Sequence, residues 1–591
     1  GCSRVKVDRL ISSSDGTRVS KLSADEQMAS TMSRLLRSCV KQRIQIPFLA
    51  AAIVTFFWQS NGGLIKSASG GSVADAAAFA SSHGVAISRV PLGAYVGSFQ
   101  VCLLACLCLL KRRHGLKWQG ANVTALIPCM AVGWTLRFVC PIPAGVTEQA
   151  WSMLSIFVSM ILGVVLGPLP TAATTVVAMS VVVVTGTATL AQGLKAFTEE
   201  VVWLVLIAFF LADGFHKTGL GDRIALNVIR VVGGTTLGLA YGLNFAELVV
   251  AAAMPCSAAR AAAMFYPITK SVCKASGSDP NEGTESKCGK FLVECCYQAT
   301  ATSSCMFLTG AAQNYFVLKL ADDVGIHLDH PFHTWFVAAV VPAFVSFMLT
   351  PLVALKLMPP ESRTTPDAPK VAKQQLDEMG PISDDEKVFL FVMLGMVAMW
   401  ASTSLIHSIS PAVTAFCGLG LLLLTGVITW EDCAKNQQAW STFVSFATLV
   451  GLAEMLKSLG IVAWLSSVVT SRIRAAGLAQ VPAFLVIITA YWLIHYLFAS
   501  QVAHVSALFQ PFLVMLVETG TPGIAAALAL AFVSNLFATL TPYASAQSAV
   551  LFAGHYITAI EWYKAGFIFM LAYYIQWLVV GAVWWRMLGL V

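Results

Sequence analysis

The stretch LVVAAAMPCSAARAAAMF, residues 248–265, places a proline, a serine and an arginine inside an otherwise apolar segment. An arginine at the centre of a bilayer costs roughly 2.5–3.5 kcal/mol. Irregular backbone at that depth persists only where protein or a water-filled cavity surrounds it. The stretch therefore predicts a functional break in a membrane segment, with Arg260 beside a cavity or a negatively charged ligand. The alternative is a shallow segment from which Arg260 reaches the membrane surface.

The composition of the chain is that of a membrane protein. Of 591 residues, 57% are hydrophobic and only 11% are charged, and the mean hydropathy is +0.74. Soluble domains carry about 25% charged residues. Repeated apolar runs of spanning length predict an all-α polytopic membrane protein whose solvent is the lipid membrane. The net charge of +7 comes largely from short basic loops such as KRRHGLK (111–117), which favour topology signals and lipid headgroups over nucleic acid.

Residues 1–117 differ from the rest of the chain. Apolar runs at 47–58 and 99–110 lie on either side of an Ala/Ser/Gly-rich stretch with few acidic residues. Acid-poor, Ser-rich sequence after a short apolar core is typical of a targeting segment. We therefore predict an N-terminal targeting or extra hydrophobic region, with two ordinary additional helices as the alternative.

The remainder reads as two related halves, 118–358 and 388–591, joined by a polar linker at 359–387. Lys457 follows Lys217 by 240 positions, and Ser545 follows Ser304 by 241. Matched interruptions in two halves are typical of the inverted repeats of secondary transporters, whose substrate site lies at the midplane. We predict re-entrant hairpins at 242–278 and 481–518, and polar-broken helices at 291–320 and 523–553.

The polar residues of these interruptions suit an anionic ligand. They are mostly hydroxyls and amides, and half-helix N-termini hold carboxylates without a full cation. For any one of them the alternative is a hydroxyl bonded back to its own helix, and for His504 a packed, neutral ring. The predicted substrate-binding residues are Ser257, Arg260, Ser304, Thr309, Asn314, Ser500, His504, Asn535, Thr539, Thr541 and Ser545.

Three stretches carry a family resemblance: SSCMFLTGAAQN (303–314), HYLFASQVAHVSALF (495–509) and TPGIAAALALAFVSNLFATLTPYASAQSAV (521–550). They resemble the plastid branch of the divalent anion:sodium symporter family, which includes 2-oxoglutarate/malate translocators. The resemblance covers roughly 120–591. It implies about eleven transmembrane helices with two re-entrant hairpins, an elevator-type transport mechanism, and a homodimer.

The resemblance also shows where this chain departs from the family. Plastid members read Ser-Asn-Thr where this chain has Cys256, Ser257 and Ala258, while Arg260 matches. At the second tip Ser500 matches, but Val502 replaces a threonine. Both tips have lost side-chain oxygens of the kind that bind a hard cation. We therefore expect transport that does not require sodium.

These observations predict a multi-pass carrier of the plastid inner envelope that exchanges C4–C5 dicarboxylates of the 2-oxoglutarate/malate type. One alternative is a sodium-coupled symporter for a di- or tricarboxylate or for sulfate. Another is an intramembrane enzyme that uses His495 or His504. No HExxH motif or GxSxG-like nucleophile accompanies those histidines, so we expect no enzyme activity, and no cofactor or metal.

Overall fold

The computed structural model describes residues 107–108 and 119–591, apart from residues 404 and 499 and the side chain of residue 474. The predicted targeting region at 1–117 lies almost wholly outside the described residues. Within the described part the regular elements are helices, and extended pairing is limited to two isolated bridges, Thr235–Thr364 and Thr403–His407. Seven of the described helices are long and apolar enough to cross a membrane. The prediction of an all-α polytopic membrane protein is confirmed.

The helices before the linker run in an order that the helices after it repeat. Between residues 119 and 358 they are α1 (Val123–Phe138), α2 (Glu148–Leu166), α3 (Thr171–Val184), α4 (Leu190–Leu194), α5 (Glu200–Thr218), α6 (Leu220–Val232), α7 (Thr236–Ala251), α8 (Tyr266–Ala275), α9 (Gly289–Met306), α10 (Ala312–Asp323) and α11 (Pro331–Leu357).

The linker contains α12 (Asp367–Met379). The helices after it are α13 (Asp384–Ser402), α14 (Pro411–Leu424), α15 (Trp430–Lys435), α16 (Gln437–Ser458), α17 (Ile461–Ala475), α18 (Gln480–Ile494), α19 (Gln501–Glu518), α20 (Gly523–Leu536), α21 (Ala546–Phe552), α22 (Ala559–Gln576) and α23 (Ala582–Met587).

Local sequence explains why equivalent helices begin at equivalent places. Helix α4 starts with a capping box in which Thr189 accepts from the N–H of Gln192, and Gln192 accepts from Thr189 in return. Helix α15 starts with the same device, made by Thr429 and Asp432. Such a box satisfies two N–H groups that a helix start leaves free. The two boxes lie 240 positions apart, which is the offset found between the two lysines.

The linker is not a plain polar connection. Helix α12 buries Ala368, Ala372 and Leu376, which share one face because they are four residues apart. That face packs against α6, and Gln375 Nε2 donates to Ser271 Oγ of α8 at 3.0 Å. Sequence analysis missed this helix because the charged and polar residues of the linker hide its narrow apolar stripe.

Four helix breaks position the polar residues. The chain is non-helical between α7 and a short π-helix, Ala259–Phe265, that leads into α8. It is also interrupted between α9 and α10, between α18 and α19, and between α20 and α21, with a single 3₁₀ turn at each of these breaks. Helix α9 is buried along almost its whole length among α7, α11 and α20. The unwound backbone therefore lies inside protein, as irregular backbone in a membrane must.

Candidate functional site

The first break is organised around Arg260, which is fully buried. All five of its N–H groups have partners inside the protein, and none of these partners is a solvent-exposed group. The partners are Glu247 Oε1 (2.8 Å from Nε), the carbonyls of Met254 and Gly310 (both from Nη1, the second at 2.6 Å), and the hydroxyls of Ser304 (3.0 Å) and Ser303 (3.5 Å), both from Nη2.

These bonds tie three separate segments together. Glu247 belongs to α7, Met254 to the unwound tip, and Gly310 to the break between α9 and α10. Removing one partner of a buried ion pair typically costs about 3–5 kcal/mol because the other charge is left unpaired. Arg260 therefore holds the first tip against the first broken helix. Its predicted contact with an anionic ligand stays a prediction, since no N–H group is left over for one.

The first broken helix is closed by short polar contacts. Thr309 Oγ1 donates to the Ala252 carbonyl at 2.7 Å, which joins the break to the hairpin tip. Asn314 Nδ2 donates to the carbonyls of Ser304 at 2.8 Å and Phe307 at 3.1 Å. These carbonyls lie at the C-terminal end of α9, where the helix itself supplies no partner. Ser257, by contrast, is half-buried at the tip.

Two helices of the second half, α19 and α21, begin directly after a break, and each has a serine as its N-cap. Ser500 is the N-cap of α19 and accepts from the Ala503 N–H at 3.3 Å. Ser545 is the N-cap of α21 and accepts from the Ser548 N–H at 3.2 Å. Both hydroxyls thus serve their own helices. The helix ends they cap keep a partial positive charge that favours an anion.

His504 lies beneath the second tip in an aromatic cluster. Its ring is fully buried, with centroids 4.5 Å from Tyr491, 4.7 Å from Phe537 and 5.3 Å from His495. Neither of its ring nitrogens has a hydrogen-bond partner among the described residues. The geometry is that of the alternative given above, a packed ring. The contacts of His504 near the break are with the neighbouring rings of Tyr491, His495 and Phe537.

Two predicted threonines complete this region. Thr539 and Thr541 are both buried in the break between α20 and α21, and the Thr541 hydroxyl has no hydrogen-bond partner among the described residues. A buried hydroxyl without a partner costs about 1–3 kcal/mol. The break between α20 and α21 therefore keeps a hydroxyl that can still form a hydrogen bond. At the first tip, by contrast, the acceptors around Arg260 are already bonded to its N–H groups.

A hydrogen bond between the two halves joins the break between α9 and α10 to the break between α20 and α21. Asn535 Nδ2 donates to Asn314 Oδ1 at 2.7 Å, and Gln313 Nε2 donates to Asn535 Oδ1 at 2.9 Å. All three side chains are buried. One network therefore connects Arg260, Ser304, Asn314 and Asn535, and Thr309 braces it. Ser500, His504, Thr539, Thr541 and Ser545 lie around the second break.

Sequence analysis missed two members of this network, Glu247 and Gln313. The signal for Glu247 was present, because a carboxylate inside an apolar segment requires a nearby partner. Arg260 follows it by 13 positions. For Gln313 no local signal exists, since its partner lies in the other half of the chain.

A second polar cluster lies between α5 and α15. Lys217 Nζ donates to Asp432 Oδ2 at 2.7 Å, and Asn436 Nδ2 donates to Asp213 Oδ2 at 2.6 Å. The hydrogen bonds from Lys217 and from Thr429 lower the pKa of Asp432 to about 2. These side chains line one cavity with His216 and Lys435. The cluster joins equivalent regions of the two halves.

Comparison with known proteins identifies a single family. Residues 120–591 match the family model described as the sodium:sulfate symporter transmembrane region. The chain is 45% identical over 472 residues to a protein named dicarboxylate transporter 2, chloroplastic, of Spinacia oleracea, which covers 80% of this chain and 84% of that protein. It is 41% identical over 474 residues to the putative malate transporter YflS of Bacillus subtilis, covering 80% and 98%. It is 33% identical over 471 residues to the inner membrane protein YbhI of Escherichia coli, covering 78% and 97%.

Proposed function

Because the chain belongs to the sodium:sulfate symporter family, as its motifs predicted, we propose that it is a secondary carrier that exchanges C4–C5 dicarboxylates of the 2-oxoglutarate/malate type. The names of its relatives support this cargo, and the relative named as a chloroplastic transporter supports the proposed plastid location. One observation in the structure carries the proposal: the breaks of the two halves meet and are joined by Asn314 and Asn535.

The dicarboxylate is proposed to lie against the second break. Helix α19 begins at the break after α18, and α21 begins at the break after α20. The free N–H groups of a helix N-terminus bind carboxylates directly. Thr541 supplies a buried hydroxyl without a protein partner. At the first tip, half-buried Ser257 would offer a further hydroxyl. The cargo would thus be held by dipoles and hydroxyls, and Arg260 would shape the site by holding the first tip.

The family's name implies sodium, and the first tip does not fit a sodium ion. Unwound carbonyls and hydroxyls form the sodium sites of such carriers. Here the carbonyls of Met254 and Gly310 and the hydroxyl of Ser304 all accept hydrogen bonds from Arg260. The guanidinium supplies permanently the positive charge that a bound cation would bring. At the second tip Val502 offers only hydrocarbon. We therefore propose that exchange does not depend on sodium.

The repeated helix order supports alternating access between two halves, at 118–358 and 388–591, around this site. The elevator-type motion and the homodimer rest on family resemblance and remain part of the proposal. The enzyme alternative has little support in the site, because the rings of His495 and His504 are buried and packed against aromatic rings. The relatives named above as transporters favour transport over catalysis.

The test is uptake of labelled malate into proteoliposomes that contain unlabelled dicarboxylate, with choline replacing all sodium. We expect uptake that requires the internal dicarboxylate and is the same in choline and in sodium. Matched vesicles with an empty lumen are the control. Linear uptake into empty vesicles that saturates with sodium would establish the symporter alternative, and competition by citrate or sulfate would then identify its anion.

A further inference from the structure

A buried carboxyl group that the proposed site does not use lies in the second turn of α9. Glu294 is only 2% exposed. It follows the first residue of α9, Gly289, by five positions, or about 7.5 Å along the axis. Ser304 of the substrate network lies ten positions further along the same helix. An ionised carboxylate without a partner is very costly in such a place, so a buried carboxyl is held as the neutral acid unless a cation pairs with it.

The surroundings of Glu294 contain polar groups but no paired cation. Gln298 Nε2 donates to Glu294 Oε1 at 2.9 Å. Cys295 and Tyr297 of its own helix interact electrostatically with Glu294, and so does Tyr573 of α22. The Tyr573 hydroxyl is hydrogen-bonded to Thr350 of α11 at 2.9 Å.

The nearby cations are engaged elsewhere. Lys290, one turn earlier on α9, lies 2.8 Å from Glu561 and 3.6 Å from Glu285. Arg260 pairs with Glu247 of α7. Among the described residues no Lys, Arg or His forms an ion pair with Glu294. The carboxyl therefore has a hydrogen-bond donor on α9 and a tyrosine close by on α22. Among the described residues no cation is paired with it to stabilise its ionised form.

A route to water lies close by. Lys290, Glu285 and Glu561 form a charged rim in which each side chain is between one-sixth and about one-third exposed. This rim stands one helical turn from Glu294. A proton that enters at these carboxylates has one turn of α9 to cross before it reaches the buried carboxyl.

We propose that Glu294 is a proton-binding site and that its proton crosses the membrane with a dianionic cargo; this rests on the proposed dicarboxylate exchange. The step is balanced: a hydronium ion protonates the Glu294 carboxylate and leaves water, and the proton returns to water on the other side. A dianion with one proton carries a net charge of minus one. Its exchange for a monoanionic amino dicarboxylate such as glutamate is then electroneutral.

The experiment uses the full chain in proteoliposomes filled with glutamate and a trapped pH-indicator dye, with malate added outside. We expect malate entry to acidify the lumen. Glu294→Gln, which preserves the size and polarity of the side chain, should keep malate–malate exchange and lose the acidification. We also expect the wild-type rate of malate entry to fall as the pH rises, and Glu294→Gln should lose this fall. Glu378→Gln, on the exposed face of α12, is the control and should behave as wild type. Wild-type acidification and pH profile in Glu294→Gln would overturn the proposal.

Two further measurements distinguish a failure of the proton-binding proposal from a failure of the proposed dicarboxylate exchange. Wild-type malate–malate exchange at one pH tests the function alone. Infrared spectroscopy of the purified protein tests the proton site without transport, since the carbonyl band of a buried protonated acid should be present in wild type and absent in Glu294→Gln. An identical band in both would overturn the proposal. If Glu294→Gln does not fold, Glu294→Asp should shift the pH profile, and an unshifted profile would count against the proposal equally.

Discussion

A single side chain shows how far the meaning of a residue depends on its partners. From sequence, Arg260 is a cation within an apolar segment and so a candidate ligand for an anion. In the structure the same cation has a carboxylate, Glu247, and four oxygen acceptors from the tip and the broken helix. A planar guanidinium can satisfy these acceptors together, whereas an ammonium group cannot.

Arg260→Lys tests which of these roles dominates. Lysine keeps the charge but leaves several buried acceptors without donors, each costing about 1–3 kcal/mol. We expect a clearly lower unfolding temperature and a reduced maximal exchange rate, measured by thermal-shift assay and by proteoliposome exchange. Arg223→Lys, at the more exposed pair with Glu386, is the matched control and should change exchange little. Unchanged stability with a raised KM for malate would instead place the guanidinium on the cargo, as sequence analysis predicted.

At the scale of elements, the broken helix depends on how closely backbone can approach backbone. A Cβ atom on Gly310 would lie 2.9 Å from Ser304 Cα and 3.0 Å from the Ser303 carbonyl oxygen. The Gly310 carbonyl also accepts from Arg260 at 2.6 Å. The turn between α9 and α10 can therefore fold back on the end of α9 only if residue 310 has no side chain.

Gly310→Ala should separate the two parts of the turn. Forced overpacking of this kind costs about 1–3 kcal/mol, and the shift would lengthen the bond from Arg260 to the Gly310 carbonyl. We expect folded protein of reduced thermal stability whose exchange falls close to background. Gly395→Ala is the control, because a Cβ at residue 395 of α13 meets no atom within 4 Å. That change should leave exchange intact and stabilise the helix by roughly 0.5–1 kcal/mol. Full exchange in Gly310→Ala would show that the turn tolerates a wider path.

At the scale of the whole molecule, both sets of repeated helices lie within the residues that match the family. The described helices extend from Val123 to Met587, and the family model covers 120–591. Their cores are built from helices on both sides of the linker. The physical requirements for insertion and for the site are thus met by this part of the chain.

A protein that begins at Lys117 should therefore insert, fold and exchange dicarboxylate. Fluorescence-detected size-exclusion chromatography and counter-exchange would measure folding and transport, with the full chain as the reference. We expect equal exchange per folded molecule. Aggregation of the shortened protein, with the full chain well behaved, would favour two structural helices in the first 117 residues over a targeting segment.

The sequence by itself determined that the protein lies in a membrane, that it is helical, which family it belongs to and where its helices are interrupted. These properties follow from composition, from apolar runs of spanning length and from motifs that recur at an offset near 240 residues, all of which are local or periodic. The N-caps made by Ser500 and Ser545 are local too, because a cap bonds within its own first turn. Even the neutral, packed alternative for His504 was open from the sequence, since its neighbours are aromatic and apolar.

Only the tertiary structure decided what each polar residue contacts. The bond between Asn314 and Asn535 joins residues 221 positions apart, and nothing in either local sequence selects that partner. Helix α12 appeared polar from its sequence, because its three apolar residues are recognisable as a buried stripe only once the helix is seen packed against α6. The tertiary structure added a structural role for Arg260, because its acceptors come from three segments of the chain. Its role as a ligand for the anion stays a prediction. Burial makes each unmatched donor or acceptor costly, so the choice of partners belongs to the fold as a whole.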